Sequence, residues 1–326
     1  MYFLGIDGGG TKTAFEIIDE KGNILSFLKT STCDYLQIGK EGFGSVIREG
    51  AANACKKANI SLSDICFSCI GIPSFGEIAA DVPELIANAK KALQSDSVDC
   101  VNDVEVAWAG SLACEPGINI LAGTGSMAYG VDQKNNTARV GGWGSFFGDE
   151  GSAYWLGKKL IELFAKQADG RIPKGRTYDI VCKKFGLTFD FDFISVILNK
   201  LECKRDEIAR LQLLLNEAAN QGDIYAVEMY RQAAFELGLI VSAIIGKLDF
   251  NTDETIVVSY SGGIFKAGDL IFVPFKEYLK DYDISFREPI LSPVSGAALK
   301  AMYTYNCGQS KDIVENLRRQ EKNMVR

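Results

Sequence analysis

Alternating apolar and polar positions predict three short strands at the start of the chain. Residues 2–7, 13–20 and 24–30 are rich in β-branched and aromatic side chains. A Gly-rich segment separates the first two runs, and a Lys-Gly-Asn turn separates the second from the third. We therefore expect an antiparallel meander of three strands.

The next part of the chain alternates between the helical period and continuous apolar runs. Helices are predicted over 41–59, 80–93 and 104–114, with strands over 65–72 and 98–103. The resulting order β-β-β-α-β-α-β-α implies a mixed sheet covered by helices.

After Pro116 the opening pattern begins again. Residues 118–132 read as strand, Gly-rich turn and strand, and 138–144 can form a third strand. A helical region is predicted next, at 152–248. Two strands follow, a buried one at 254–263 and a short one at 283–288, and helices are predicted near 268–280, 293–305 and 310–323.

This repetition predicts an internally duplicated α/β protein, and 326 residues exceed the usual size of a single core. We predict an N-terminal lobe over 1–115, which the terminal helix 308–326 can join. The C-terminal lobe is predicted over 116–307 and carries a helical insertion at about 152–248.

Composition narrows the function classes. With 35 basic and 42 acidic side chains the net charge is −7, which argues against a general nucleic-acid binder. No apolar run approaches the ~20 residues of a membrane span, and the first residues lack the pattern of a signal peptide. A cytoplasmic protein is expected.

Cysteine and histidine usage limits the available chemistry. Nine cysteines, an odd number without framework spacing, fit reduced thiols. Cys66 and Cys69 lie in the apolar run 65–72, so we interpret them as strand side chains rather than a metal or redox pair. The chain has no histidine, so acid–base chemistry requires Asp, Glu, Lys, Cys or Tyr, with a carboxylate favoured.

The segment "GIDGGGTKT", residues 5–13, was compared with two phosphate-binding patterns. It lacks the second glycine of a P-loop, and a strand follows it where a dinucleotide fold requires a helix. What remains is a hairpin whose turn adopts positive φ and presents backbone amides to an anion. Asp7 would place a carboxylate suited to Mg²⁺ there. A plain turn is the alternative.

Two further Gly-rich turns favour a binding function. "GTGS" at residues 123–126 forms a second predicted hairpin, and Gly262–Gly263 ends the buried strand in the second half. Two such hairpins can grip a polyphosphate from both sides of an interdomain cleft, and the third turn lets the backbone approach a flat or anionic group.

Six motifs together resemble the N-acetylglucosamine kinases of the BadF/BadG/BcrA/BcrD ATPase family, within the actin, sugar-kinase and Hsp70 superfamily. In chain order they are "GIDGGGTKT", "VNDVEVAWAG", "ILAGTGSMAYG", "GGWGSFFGDEGSAYWLG", "VSYSGG" and "SGAALKAM". The resemblance implies two actin-like (ribonuclease H-like) lobes with ATP and sugar in the cleft. It also implies transfer of the γ-phosphoryl group to the 6-hydroxyl of N-acetylglucosamine.

The resemblance further implies roles for individual residues. Asp103 would be the general base and Asp7 would hold Mg²⁺, although Asp103 can also be read as a helix N-cap. The implied ATP contacts are Gly8, Gly9, Gly10, Thr11, Lys12, Gly123, Thr124 and Gly125 around the phosphates, with Gly262 and Gly263 near the adenosine.

The implied sugar contacts are Gly142, Trp143, Gly144 and Asp149. Trp143 can also be a core aromatic, and Trp155 is favoured as one. Where the family has Asn, this chain has Cys33 followed by Asp34. A thiol is a poor hydrogen-bond partner, so Cys33 loses a sugar contact that Asp34 can replace.

Several alternatives stay open. The acceptor can be glucosamine or N-acetylmuramic acid. In a second alternative, the chain is an ATPase activator of a 2-hydroxyacyl-CoA dehydratase type enzyme, from the same group of proteins. A homodimer formed through part of the helical insertion is a hypothesis from the same analogy.

Overall fold

The chain folds into two compact units. The computed structural model describes residues 1–250, 254–305 and 310–324. The first unit comprises Met1–Pro116 together with Glu288–Arg326, and the second comprises Gly117–Arg287. The predicted boundary between the two lobes, after residue 115, lies next to the observed boundary between Pro116 and Gly117.

The first unit contains a five-stranded mixed sheet. Its order is β3-β2-β1-β4-β5, in which the first three strands form the predicted antiparallel meander and β4 and β5 run parallel to β1. The carboxyl ends of parallel strands meet at one edge, so residues that follow β1, β4 and β5 lie close together there. These strands are β1 (Tyr2–Gly8), β2 (Lys12–Asp19), β3 (Ile24–Ser31), β4 (Ile65–Ile72) and β5 (Val98–Asn102).

The second unit has a sheet of the same topology. Its order is β10-β9-β6-β7-β8, with an antiparallel meander at one side and two parallel strands at the other. The predicted duplication is therefore confirmed. The strands are β6 (Gly117–Ala122), β7 (Ser126–Val131), β8 (Thr137–Gly141), β9 (Ile256–Ser261) and β10 (Ile284–Arg287).

Helices flank both sheets at the predicted segments. Those of the first unit are α1 (Tyr35–Ala58), α2 (Val82–Leu93), α3 (Asp103–Leu112), α11 (Pro293–Thr304) and α12 (Lys311–Asn323). Those of the second are α4 (Ala153–Ala168), α5 (Arg176–Phe185), α6 (Asp192–Ser195), α7 (Arg205–Arg210), α8 (Gln212–Asn220), α9 (Ile224–Lys247) and α10 (Asp269–Tyr278). Among the described helices, none is long and apolar enough to cross a membrane.

The helical region predicted as an insertion shares its core with the second sheet. Ile120 of β6 is fully buried in one cluster with Leu160 of α4, Leu215 of α8 and Tyr230 of α9. The helices are therefore packed into this unit and do not form a separate module.

Residues 288–305 belong to the first unit, which differs from the predicted C-terminal lobe of 116–307. Helix α11 packs on α3 and β1. A Cβ added to Gly296 would lie 2.1 Å from the Gly110 nitrogen, and one added to Gly5 would lie 2.3 Å from the Ala298 nitrogen. The close contact of α11 with α3 and β1 requires glycine at these positions, because any side chain would clash with the neighbouring backbone. Hydrophobic periodicity does not reveal which elements pack together in this way.

Helix α12 also packs on the first unit. Leu317 is fully buried, the Gln320 side-chain oxygen accepts from the Ile24 amide at 3.0 Å, and the Glu321 carboxylate accepts from the Ser292 hydroxyl at 2.5 Å. The terminal segment thus completes the core that the first strands begin.

Cys66 and Cys69 lie on β4, as the apolar run indicates, and Cys69 is fully buried. The cysteines within the described ranges are free thiols. Burial raises the pKa of Cys69 well above its ordinary value, as expected of a structural side chain.

Replacing Leu317 with Ala should lower the free energy of unfolding by about 2–5 kcal/mol, because it removes a fully buried side chain. Arg318→Ala, on the exposed side of the same helix, should change it by less than about 0.5 kcal/mol. Urea unfolding followed by circular dichroism measures both variants. If both variants lower the free energy of unfolding equally and only slightly, α12 contributes little to the stability of the first unit.

Candidate active site

The first Gly-rich turn joins β1 to β2 and leaves two amides available. The Gly9 amide donates to the Lys12 carbonyl at 2.9 Å, which closes the turn. Thr32 Oγ1 donates to the Gly9 carbonyl at 2.7 Å, and Gln37 Nε2 donates to the Gly10 carbonyl at 2.9 Å. Within the described residues the amides of Gly10 and Thr11 have no hydrogen-bond partner. The carbonyls are fixed, while these donors are left available to an anion.

The prediction that this turn adopts positive φ was wrong. None of Gly8, Gly9 and Gly10 adopts it. Gly8 is required instead by close packing, because a Cβ would lie 2.5 Å from the Cys33 sulfur and 2.7 Å from the Gly71 carbonyl oxygen.

Asp7 and Asp103 lie at the carboxyl edge of the first sheet. Asp7 pairs with Gly71 across β1 and β4, Gly71 pairs with Val101 across β4 and β5, and Asp103 follows β5. Burial, and to a smaller extent the negative charge of Asp103, raise the pKa of Asp7 to about 7 against the opposing charge of Lys29. The pair is arranged to favour a bound cation or proton.

Asp103 is the first residue of α3 and not its N-cap. The cap is Asn102, whose side-chain oxygen accepts from the Val104 amide at 3.2 Å. The alternative interpretation of Asp103 as the cap is therefore wrong, because the preceding residue fills that position.

Cys33 and Asp34 have structural contacts in the first unit. Cys33 is 0% exposed within the hydrophobic core, and burial raises the pKa of its thiol to about 12. Asp34 is the N-cap of α1: one carboxylate oxygen accepts from the Leu36 amide and the other from Gln37 Nε2. This cap explains why α1 begins before the predicted residue 41. Cys33 is thus closed to solvent, whereas Asp34 is partly exposed and its sugar contact stays a prediction.

The second Gly-rich turn joins β6 to β7 and is held by the start of α4. The amides of Ala153 and Tyr154 donate to the carbonyls of Gly123 and Thr124 at 2.9 and 3.3 Å. The Thr124 and Gly125 amides lack hydrogen-bond partners among the described residues, and a Cβ on Gly123 would meet no atom within 4 Å. Positive φ is again not used at either glycine. This turn also combines fixed carbonyls with open donors.

The third glycine pair lies against this turn. Gly262 follows β9 with φ of 103°, and a Cβ there would lie 2.3 Å from the Ala122 carbonyl oxygen and 2.8 Å from the Gly123 nitrogen. Gly263 faces open space. Two segments far apart in sequence are thus brought together at one end of the second sheet.

The "GGWG" segment follows β8 and exposes its aromatic side chain. Gly142 and Gly144 have φ of 71° and 89°, which favours glycine, and the Gly142 amide donates to the Ser126 carbonyl at 3.0 Å. Trp143 is 72% exposed and so is not a core aromatic. Trp155 is partly buried against the core, as favoured from the sequence.

Asp149 is buried beside the second turn and paired with Arg205. It is 3% exposed; one carboxylate oxygen accepts from the Ser126 amide at 3.3 Å and the other from Arg205 Nη2 at 2.5 Å. Sequence reasoning missed Arg205. A buried carboxylate predicts some basic partner, but the pattern does not say which one the helical region supplies.

The acidic side chains fit a nucleotide-associated Mg²⁺ rather than an all-protein metal site. In the described part of the chain, no group of three or more Cys, Asp or Glu side chains could hold a metal. Mg²⁺ in phosphate sites uses one or two carboxylates and takes its other ligands from phosphates and water. The partly buried carboxylate of Asp7 suits that arrangement.

Comparison with known families agrees with this geometry. The model of the BadF/BadG/BcrA/BcrD ATPase family matches residues 4–301. The chain belongs to this family. The membership expected from the sequence motifs is thereby confirmed.

Individual members of this family and of its fold are also similar. The N-acetylmuramic acid/N-acetylglucosamine kinase of Clostridium acetobutylicum is 30% identical over 85% of this chain and 90% of the relative. The N-acetyl-D-glucosamine kinase of Dictyostelium discoideum is 28% identical over 92% and 97%. The crystal structure of a proposed N-acetylglucosamine kinase from Chromobacterium violaceum has a TM-score of 0.68, with 23% identity over 91% and 98%. The predicted duplicated actin-like fold is confirmed.

In this BadF/BadG/BcrA/BcrD family member, the two turn glycines should differ in their tolerance to substitution. A Cβ on Gly125 would lie 2.6 Å from Asp149 Oδ1 and 2.7 Å from Arg205 Nη2, so Gly125→Ala should cost about 1–3 kcal/mol of stability. Gly123→Ala should cost less than about 0.5 kcal/mol, because its Cβ enters open space. Urea unfolding tests both, and equal costs would contradict the described packing.

Proposed function

We propose that this ATP-dependent sugar kinase transfers the γ-phosphoryl group of ATP to the 6-hydroxyl of an amino sugar, with N-acetylglucosamine as its main acceptor. The observation that carries the proposal is the placement of Asp103 beside Asp7 at the sheet edge from which the Gly9–Thr11 turn projects. A carboxylate base next to open amide donors matches what phosphoryl transfer to a hydroxyl requires.

The choice of sugar rests on the relatives. Both are named as kinases of N-acetylglucosamine, and one is also named for N-acetylmuramic acid. The exposed Trp143 and the buried Asp149 of the second unit fit a sugar, which presents one apolar face and several hydroxyl donors. Gly142 and Gly144 of the same segment are proposed to let the backbone approach the ring.

Asp103 is proposed as the general base. As the 6-hydroxyl oxygen forms its bond to the γ-phosphorus, the bond from that phosphorus to the β–γ bridging oxygen breaks and ADP leaves. The hydroxyl proton passes to the Asp103 carboxylate. The chain has no histidine, so a carboxylate is the natural acceptor for this proton.

Asp7 is proposed to hold Mg²⁺ when ATP is bound. A Mg²⁺ ion on the phosphates supplies neutralisation of their negative charge. The Asp7 side chain fits this role because its neighbour Asp103 adds a second negative charge, which makes the position attractive to a cation.

The first turn offers the amides of Gly10 and Thr11 as donors to phosphate. The turn of the second unit offers those of Thr124 and Gly125 as donors of the same kind. Lys12 follows the first turn and is exposed, so its ammonium group can add positive charge. Gly262 and Gly263 are proposed to leave room for the adenosine.

Replacing Asp103 with Asn should reduce turnover by at least about 10²-fold and leave ATP and sugar binding nearly unchanged, because the amide cannot accept the proton. Asp96→Asn, a surface acid 95% exposed on its side chain, is the matched control and should retain full activity. Coupled ADP release measures kcat, and isothermal titration measures binding. Near-normal turnover of the Asp103 variant would contradict its role as base.

The acceptor can be tested with a panel of sugars. N-acetylglucosamine should give the highest kcat/KM, and phosphorus–proton NMR of the product should place the phosphate on the 6-oxygen. N-acetylmuramic acid and glucosamine are the other members of the panel. ATP consumption that is independent of every sugar, with bound iron, would support the dehydratase-activator alternative instead.

A further inference from the structure

One ion pair connects the helical region of the second unit to its Gly-rich turn. Arg205 is the first residue of α7, and its Nη2 donates to Asp149 Oδ2 at 2.5 Å. The same nitrogen would lie 2.7 Å from a Cβ on Gly125. The guanidinium therefore contacts both the buried acid and the side of the turn.

Asp149 needs such a partner to keep one orientation. It is 3% exposed and has φ of 60°, and it lies between the positive-φ residues Gly144 and Gly151. Its second contact, from the Ser126 amide, is long at 3.3 Å. A buried carboxylate is costly unless it is paired, and a charge-assisted bond from arginine is the stronger of these two contacts.

The position of Arg205 is itself fixed by packing. Helix α7 packs on α4, where a Cβ on Gly157 would lie only 2.0 Å from the Ile208 carbonyl oxygen. The start of α4 in turn donates to the carbonyls of the Thr124 turn. Turn, α4, α7, Arg205 and Asp149 thus form a closed ring of contacts.

We propose that Arg205 is a positioning residue, through which the helical region fixes the Asp149 carboxylate for the hydroxyl groups of the sugar. The inference rests on the proposed function, in which Asp149 binds the acceptor. An ionised carboxylate offers about four acceptor positions. Ser126 and Arg205 occupy one on each oxygen, which prevents rotation and leaves the other acceptor positions for further donors.

Loss of Arg205 should weaken sugar binding more than ATP binding. Without the guanidinium the carboxylate can rotate, so the sugar must order it on binding. The expected effect of Arg205→Gln is a rise of about tenfold or more in KM for N-acetylglucosamine. The KM for ATP should stay within about twofold, since the amides at the start of α4 still hold the carbonyls of the turn.

The experiment compares four single variants (Arg205→Gln, Arg205→Lys, Arg210→Gln and Asp149→Asn) and one double variant of the full chain. Arg205→Lys keeps the charge and should restore part of the sugar KM. Arg210→Gln, on the same helix and paired at the surface with Glu207, is the control and should match the wild type. In an Asp149→Asn background, Arg205→Gln should have a much smaller effect, since the group it positions has been changed. Thermal midpoints are recorded for all.

The possible results are distinguishable. A higher sugar KM in Asp149→Asn with no change in Arg205→Gln overturns the positioning role and leaves the proposed function standing. No change in Asp149→Asn overturns the positioning role and the sugar contact of Asp149, whereas the proposed function itself fails only if the wild type does not phosphorylate an amino sugar. Parallel rises in both KM values that follow the thermal midpoint mean a merely structural role. If Arg205→Gln raises the KM for N-acetylmuramic acid and for no other sugar, Arg205 binds the carboxylate of that substrate directly. This result also overturns the positioning role.

Discussion

Two like charges at the carboxyl edge of the first sheet determine how this site can work. Asp7 and Asp103 come together because β1, β4 and β5 are parallel and in register, and each raises the cost of ionising the other. That cost falls when a cation binds or a proton arrives, which are the two events that phosphoryl transfer to a hydroxyl provides. Under the proposed function, the sheet thus converts an unfavourable interaction into affinity for Mg²⁺ and the hydroxyl proton.

Much of this arrangement could be predicted from the sequence, because it depends on local patterns. Alternating β-branched residues specify the meanders, and the Gly-rich segments between them specify the hairpins at 8–12 and 123–126. A strand after each glycine run excludes the P-loop and dinucleotide folds. The order of elements then specifies two similar sheets, and the structure and the family comparison agree with this.

Features that depend on contacts between distant residues could not be predicted. Helix α11 belongs to the first unit because Gly5, Gly110 and Gly296 lack side chains, and periodicity does not identify such a contact. Arg205, the partner of Asp149, could not be predicted either. A buried carboxylate requires a basic partner, but many basic residues of the helical region meet that requirement equally well. At Cys33 and Asp34 the motif position suggests ligand contact, whereas core packing and helix capping account for both.

The discontinuous first unit has a consequence for the order of folding during synthesis. The strands of the second unit come from one continuous stretch, Gly117–Arg287, whereas the first unit needs α11 and α12 from the end of the chain. The ribosome therefore releases every strand of the first sheet well before α11 and α12, two of the helices that pack in this unit. During translation the second unit can complete its core first, while the first remains open until α11 and α12 emerge.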